Sequence, residues 1–168
     1  NRRAFVRELD RAKAYGDRYG SGASLIYLDL DGMKDINDRH GHEMGDKALV
    51  ALAETLVANV RSSDLVGRLG GDEFAVFVPN LANADALAGL SERLVKRFRS
   101  PFAVGRHIVN ARLSVGAALA PHAGSDRLSL LQAVDEALYE AKASGRNRCV
   151  VFSREPSVET QIGMTQMQ

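Results

Sequence analysis

Arg68-Leu69-Gly70-Gly71-Asp72-Glu73-Phe74, running on into Ala75-Val76-Phe77-Val78, is the stretch on which the reading of this chain turns. It reads as two short apolar strands, Asp64 to Leu69 and Glu73 to Val78, joined by a tight turn. Paired glycines permit the positive φ values that two-residue hairpin turns require. Two carboxylates, Asp72 and Glu73, follow at the mouth of the second strand. With no Cβ at 70 and 71, a ligand can lie directly against the backbone. Carboxylates beside such a turn can hold a divalent metal and, through it, a phosphate chain. The same residues also fit an ordinary hairpin with a solvated acidic tip.

Working outward, Ser24 to Asp31 reads as a strand apolar enough to be central. A period of two puts Tyr27, Asp29 and Asp31 on one face and Ile26, Leu28 and Leu30 on the other. An acid inside an apolar strand is costly unless paired or metal-bound, so Asp29 is more telling than an acid in a loop. Gly32 to Gly41 reads as a turn or short helical piece, and His42 to Arg61 as a helix with Leu49, Leu52, Ala53, Leu56 and Val60 in one stripe. Asp46 is expected in the first turn of that helix, where a carboxylate complements the dipole.

The flanks complete the order. Arg2 to Tyr19 reads as a helix with Phe5, Leu9 and Ala12 on one face, and Asn83 to Ser100 as another, with Leu87, Leu90, Leu94 and Phe98 in register. Phe102 to Val104 and His107 to Ala120 suggest a second hairpin about Gly105, its longer strand half-buried and carrying no function. Ser129 to Ser144 reads as a last helix, capped by Ser129 and stopped by Gly145. Lys142 and Arg146 at its end fit either dipole complementation or phosphate binding. Cys149 to Phe152 is a final strand. The expected organisation is one domain over 1–153 and a tail or linker over 154–168.

A length of 168 residues can bury roughly 70% of the unfolded surface, and 45% hydrophobic with 26% charged residues is ordinary for a globular domain. The formal net charge of +1 gives no strong field that selects nucleic acid or a membrane. One cysteine, Cys149, excludes an internal disulfide and fits a reducing compartment. A cytoplasmic location is expected, with membrane anchoring of a longer parent protein left open. The start at Asn1 suggests a piece of such a protein.

Gly70-Gly71-Asp72-Glu73-Phe74 resembles, letter for letter, the signature of the GGDEF domain family, the diguanylate cyclases. The spacing from Asp29 and Asp31 through Lys34, Asn37, His42 and Asp46 resembles the family's first motif, with Met33 where many members carry Phe. The resemblance runs from Asn1 to about Phe152. It implies an α/β (α+β sandwich) fold: a palm-like, mostly antiparallel central sheet with a βαββαβ core flanked by helices, similar to nucleotidyl cyclases.

The activity implied is condensation of two GTP into cyclic di-GMP with release of pyrophosphate. By the same resemblance Asp29, the Leu30 carbonyl and Asp72 hold metal, with Mg2+ favoured and Mn2+ a substitute. Asp72 and Glu73 are the catalytic acids, and their roles are not separated. Asn37 and Asp46 face guanine with His42 a further substrate contact, Lys34, Lys142 and Arg146 contact the triphosphate, and Gly70 and Gly71 are substrate-binding. Arg61 and Asp64 match an inhibitory site for cyclic di-GMP, although as a pattern they also fit a helix end and a turn. Further expectations are a catalytic homodimer, an absent N-terminal sensory or dimerisation domain, and no nucleic-acid partner. A non-catalytic module that senses GTP or cyclic di-GMP is the alternative, against which stand the retained Asp29, Gly70, Gly71, Asp72 and Glu73.

Overall fold

A computed structural model describes residues 1–81, 83–120 and 126–153. The expected tail over 154–168 lies outside the described residues. In chain order the elements are α1 (Arg2–Tyr19), β1 (Ala23–Asp31), α2 (Met33–His40), α3 (His42–Asn59), β2 (Leu65–Gly70), β3 (Glu73–Pro79), α4 (Ala84–Arg97), β4 (Phe102–Val104), β5 (His107–Val109), β6 (Arg112–Ala120), α5 (Arg127–Ala143) and β7 (Cys149–Val151).

Five strands form one sheet in the order β2-β3-β1-β6-β7, antiparallel except for the parallel β6–β7 pair. The period-two pattern of β1 decides which helices cover which face. Ile26, Leu28 and Leu30 pack with Ile36 and Leu52 from α2–α3 and Leu87 and Leu94 from α4. Leu25 on the other face packs with Phe5 and Leu9 of α1 and with Leu130 and Val134 of α5. Burial of apolar side chains on both faces supplies the main driving force for closing these three layers. The βαββαβ core is β1, α2–α3, β2, β3, α4 and β6.

Three expectations are corrected. The long strand over His107 to Ala120 is two strands, because β5 pairs with β4 in a separate ribbon and β6 starts only at Arg112. Nor is β6 half-buried: seven consecutive residues, Leu113 to Leu119, are buried. Its small residues face a helix rather than solvent. A Cβ on Gly116 would overlap the Leu138 backbone nitrogen, so glycine there lets α5 lie directly on the strand. Finally, α5 begins at Arg127 under Asp126, whose carboxylate accepts from the backbone N–H of Ser129 (2.9 Å) and from its hydroxyl (2.6 Å). Ser129 is therefore the capped residue and not the cap.

Candidate active site

The hairpin tip is a two-residue turn, Gly71-Asp72, closed by the Gly70–Glu73 pair with a register shift after Arg68. Gly70 and Gly71 have φ values of 154° and 52°, which side chains rarely adopt. The Nε of Arg68 donates to the Gly71 carbonyl at 2.9 Å. The backbone N–H of Leu30 donates to the Asp72 carbonyl at 3.3 Å, which ties the tip to the end of β1. Since β1 and β3 also pair Asp29 with Glu73, residues more than forty apart in sequence meet at one corner.

That corner is electrostatically loaded. Burial pushes the Asp29 carboxyl up to about 6, the Lys142 ammonium partly offsets this, and the Asp72 carboxylate adds to the rise. Asp29 forms an ion pair with Lys142 of α5. Asp29 is buried, Asp72 partly buried and Glu73 exposed. Two carboxylates crowded together make a hard oxygen donor set that gains from a cation. Among the described residues no group of three or more His, Cys, Asp or Glu side chains is arranged around a metal position. Such a sparse set suits magnesium, which keeps several waters, and so fits the group expected here.

Beside this corner opens a cleft of about 460 Å³, lined by Met33, Lys34, Asn37, Asp38, His42, Asp46, Leu49, Arg68, Gly71 and Asp72. Of the expected substrate residues, Lys34, Asn37, His42, Asp46 and Gly71 share this one wall. Met33 and Leu49 give it an apolar surface suited to a flat ring. Asp46 is not in the first turn of α3, where the acid is Glu43; it sits one turn on and lines the cleft, so dipole complementation does not account for it. Asn37 Oδ1 is buried without a hydrogen-bond partner, and a Cβ at Gly45 would overlap it. An unpartnered buried amide oxygen at a cleft wall is a group that a ligand or water can satisfy. α2 begins at Met33 under Gly32 (φ 89°) with no side-chain cap, leaving its first-turn N–H groups without one.

The remaining expected residues lie elsewhere. Lys142 stands at the metal corner, and Arg146 lies in the turn beyond the end of α5 with its Nε 3.9 Å from Asp31. Arg61 and Asp64 are at the opposite end of β2, where the Asp64 carboxylate accepts the Arg61 backbone N–H at 2.8 Å. Sequence reasoning gave no role to Arg68, Asp31 or Ser114. The signal for Arg68 is its place immediately before the glycine turn. That for Asp31 is a second acid on the same face of the same buried strand. Ser114 carried no signal until β6 was seen beside β1.

Comparison with known proteins identifies the family. The family model described as diguanylate cyclase, GGDEF domain matches residues 1–148. The bifunctional diguanylate cyclase/cyclic di-GMP phosphodiesterase MucR of Pseudomonas aeruginosa is 39% identical over 161 residues, covering 96% of this chain. The chain spans only 23% of that relative's length. The crystal structure of the GGDEF domain of TpbB from Pseudomonas aeruginosa superposes with a TM-score of 0.87 at 33% identity, covering 92% of this chain and 97% of that one. The GGDEF domain of DgcB from Caulobacter crescentus, solved in complex with c-di-GMP, superposes with a TM-score of 0.79 at 30% identity, covering 90% of each chain. With the signature at the hairpin tip, Lys34, Asn37, His42 and Asp46 on one cleft and a family match over residues 1–148, the chain belongs to the GGDEF domain family of diguanylate cyclases.

Proposed function

We propose that this domain condenses two GTP molecules into cyclic di-GMP with release of pyrophosphate. The observation that carries the reading is the meeting of Asp29 and Asp72 at the mouth of the cleft that holds Lys34, Asn37, His42 and Asp46. Asp46 accepts the N–H hydrogens of the guanine edge, and Asn37 and His42 add polar contacts while Met33 and Leu49 flank the ring. Lys34, Lys142 and Arg146 bind the triphosphate beside the bare Gly70-Gly71 backbone. Asp29, the Leu30 carbonyl and Asp72 hold Mg2+, or Mn2+ in its place. A bound ion supplies charge neutralisation for the leaving pyrophosphate and eases loss of the ribose 3′-hydroxyl proton. Asp72 and Glu73 orient that hydroxyl toward the α-phosphorus.

One cleft binds one GTP, so closing a two-nucleotide ring requires two domains facing each other, and the active species is a homodimer. Arg61 and Asp64 form the product-inhibition site, remote from the chemistry. Incubation of an enforced dimer with GTP and magnesium, followed by product separation, tests the reading. Cyclic di-GMP and pyrophosphate are expected. GTP binding with no product would overturn catalysis in favour of a sensing module.

A further inference from the structure

Asp31 stands two residues beyond Asp29 on the same face of β1, and its surroundings differ. Its carboxylate accepts the Ser114 hydroxyl at 2.9 and 2.8 Å and the backbone N–H of Asn147 at 3.2 Å. Arg146 Nε approaches to 3.9 Å, while the Asp31 side chain is 10% exposed. Arg146 and Asn147 both have left-handed backbones, with φ values of 61° and 49°, after Gly145 at 124°. Consecutive non-glycine residues hold such a conformation only where their surroundings impose it. Other ties on this turn are Arg146 N–H to the Ala141 carbonyl (3.0 Å), Arg148 Nε to the Arg146 carbonyl (3.0 Å) and Arg99 to Asn147 (3.4 Å). Among these partners Asp31 is the one partly buried carboxylate. Lys142, in the last turn of α5 and four residues before Arg146, forms a closer ion pair with Asp29.

We propose that Asp31 is a positioning residue: locked by Ser114, it pins the Gly145–Asn147 turn and thereby sets Arg146 for the distal phosphates of the nucleotide. This inference rests on the reading of Arg146 as a phosphate contact. The single Ser114 O–H, within reach of both carboxylate oxygens, orients the carboxylate, and Asp31 then holds the turn by its backbone at Asn147 and draws the guanidinium by charge. Arg146 is thus ordered before the nucleotide arrives, which removes part of the ordering cost of binding.

The test is isothermal titration with two probes, GMP and α,β-methylene GTP, whose α–β bridge cannot be cleaved. The variants are Asp31→Asn, Ser114→Ala, Arg146→Ala and the double Asp31→Asn/Arg146→Ala, each with its melting temperature. Asp31→Asn should weaken the triphosphate probe by roughly five- to tenfold and leave GMP unchanged. Ser114→Ala should move it the same way by less. It also serves if Asp31→Asn fails to fold. The double variant should bind no more weakly than Arg146→Ala. Additive losses, equal losses for GMP, or unchanged triphosphate affinity in both Asp31→Asn and Ser114→Ala would overturn the positioning role with Arg146 still a phosphate contact. Unchanged triphosphate affinity in Arg146→Ala would overturn the phosphate reading itself, and this inference with it.

Discussion

At its base, the β2–β3 hairpin is flanked by Arg61 and Asp64, which close a turn on each other. The Asp64 carboxylate accepts the Arg61 N–H, and the Asp64 N–H returns to the Arg61 carbonyl at 3.0 Å. At its tip, Arg68 and Asp72 do not pair. Arg68 spends its Nε on the Gly71 carbonyl, and Asp72 is pressed toward a second carboxylate, Asp29. The same residue types, one strand apart, give a satisfied turn at one end and crowded like charge at the other. Crowded charge at a cleft mouth costs stability, and a cation or substrate can repay it. A satisfied turn costs nothing and is free to serve as a separate recognition surface through its exposed arginine.

Breaking the tip should have the largest effect. Asp72→Ala should lower cyclic di-GMP formation by roughly three orders of magnitude with the fold intact by circular dichroism. A well-folded variant with near-wild-type turnover would remove Asp72 from the chemistry. Next comes base choice beside the tip: Asp46→Ser should cut the preference for GTP over ATP by roughly a hundredfold, measured as a ratio of kcat/KM in competition. An unchanged ratio would assign guanine recognition to other groups.

At the base, Arg61→Ala should weaken cyclic di-GMP binding about tenfold, since a charge-assisted contact is worth roughly 1.5–3 kcal/mol, while GTP turnover is kept. Titration of wild type and variant with cyclic di-GMP decides this, and equal affinities would reduce Arg61 to a helix-end cation. Asp64→Ala should cost about 1 kcal/mol, seen as a drop of a few degrees in Tm, because it removes the acceptor of the Arg61 N–H.

The smallest expected effect sharpens the electrostatic contrast. Asp29 has its carboxyl raised from 3.8 to about 6 by burial, with Asp72 adding to it. The folded protein therefore holds that proton more readily than the unfolded chain. The resulting stabilisation is full below 3.8 and is lost as pH rises through about 6. Without divalent metal, the melting temperature should decline across that window, and Asp29→Asn should flatten the decline. A wild-type curve parallel to that of Asp29→Asn would show that the tip carries no such strain.

What the sequence by itself determined is what local patterns encode. Period-two patterning in β1, the apolar run of β3, the apolar stripes of α1, α3 and α4, and the glycine pair at 70 and 71 sufficed for these elements and for the hairpin. The signature acids and the spacing from Asp29 to Asp46 sufficed for the family. Tertiary structure alone decided which residues meet. Ser114 looked like the polar half of an alternating strand; only the β1–β6 register puts it opposite Asp29 with its hydroxyl on Asp31. Asp46 looked like a dipole partner until the packing of α2 on α3 put it on the cleft with Asn37. The split between β5 and β6 was invisible because alternation runs through 110 and 111 unbroken, whereas strand partners are chosen at long range. Lys142 and Asp29, more than a hundred residues apart, become an ion pair only because Gly116 lets α5 lie directly on β6. Periodicity reports the face a residue occupies; register and helix approach, set by contacts distant in sequence, decide what that face touches.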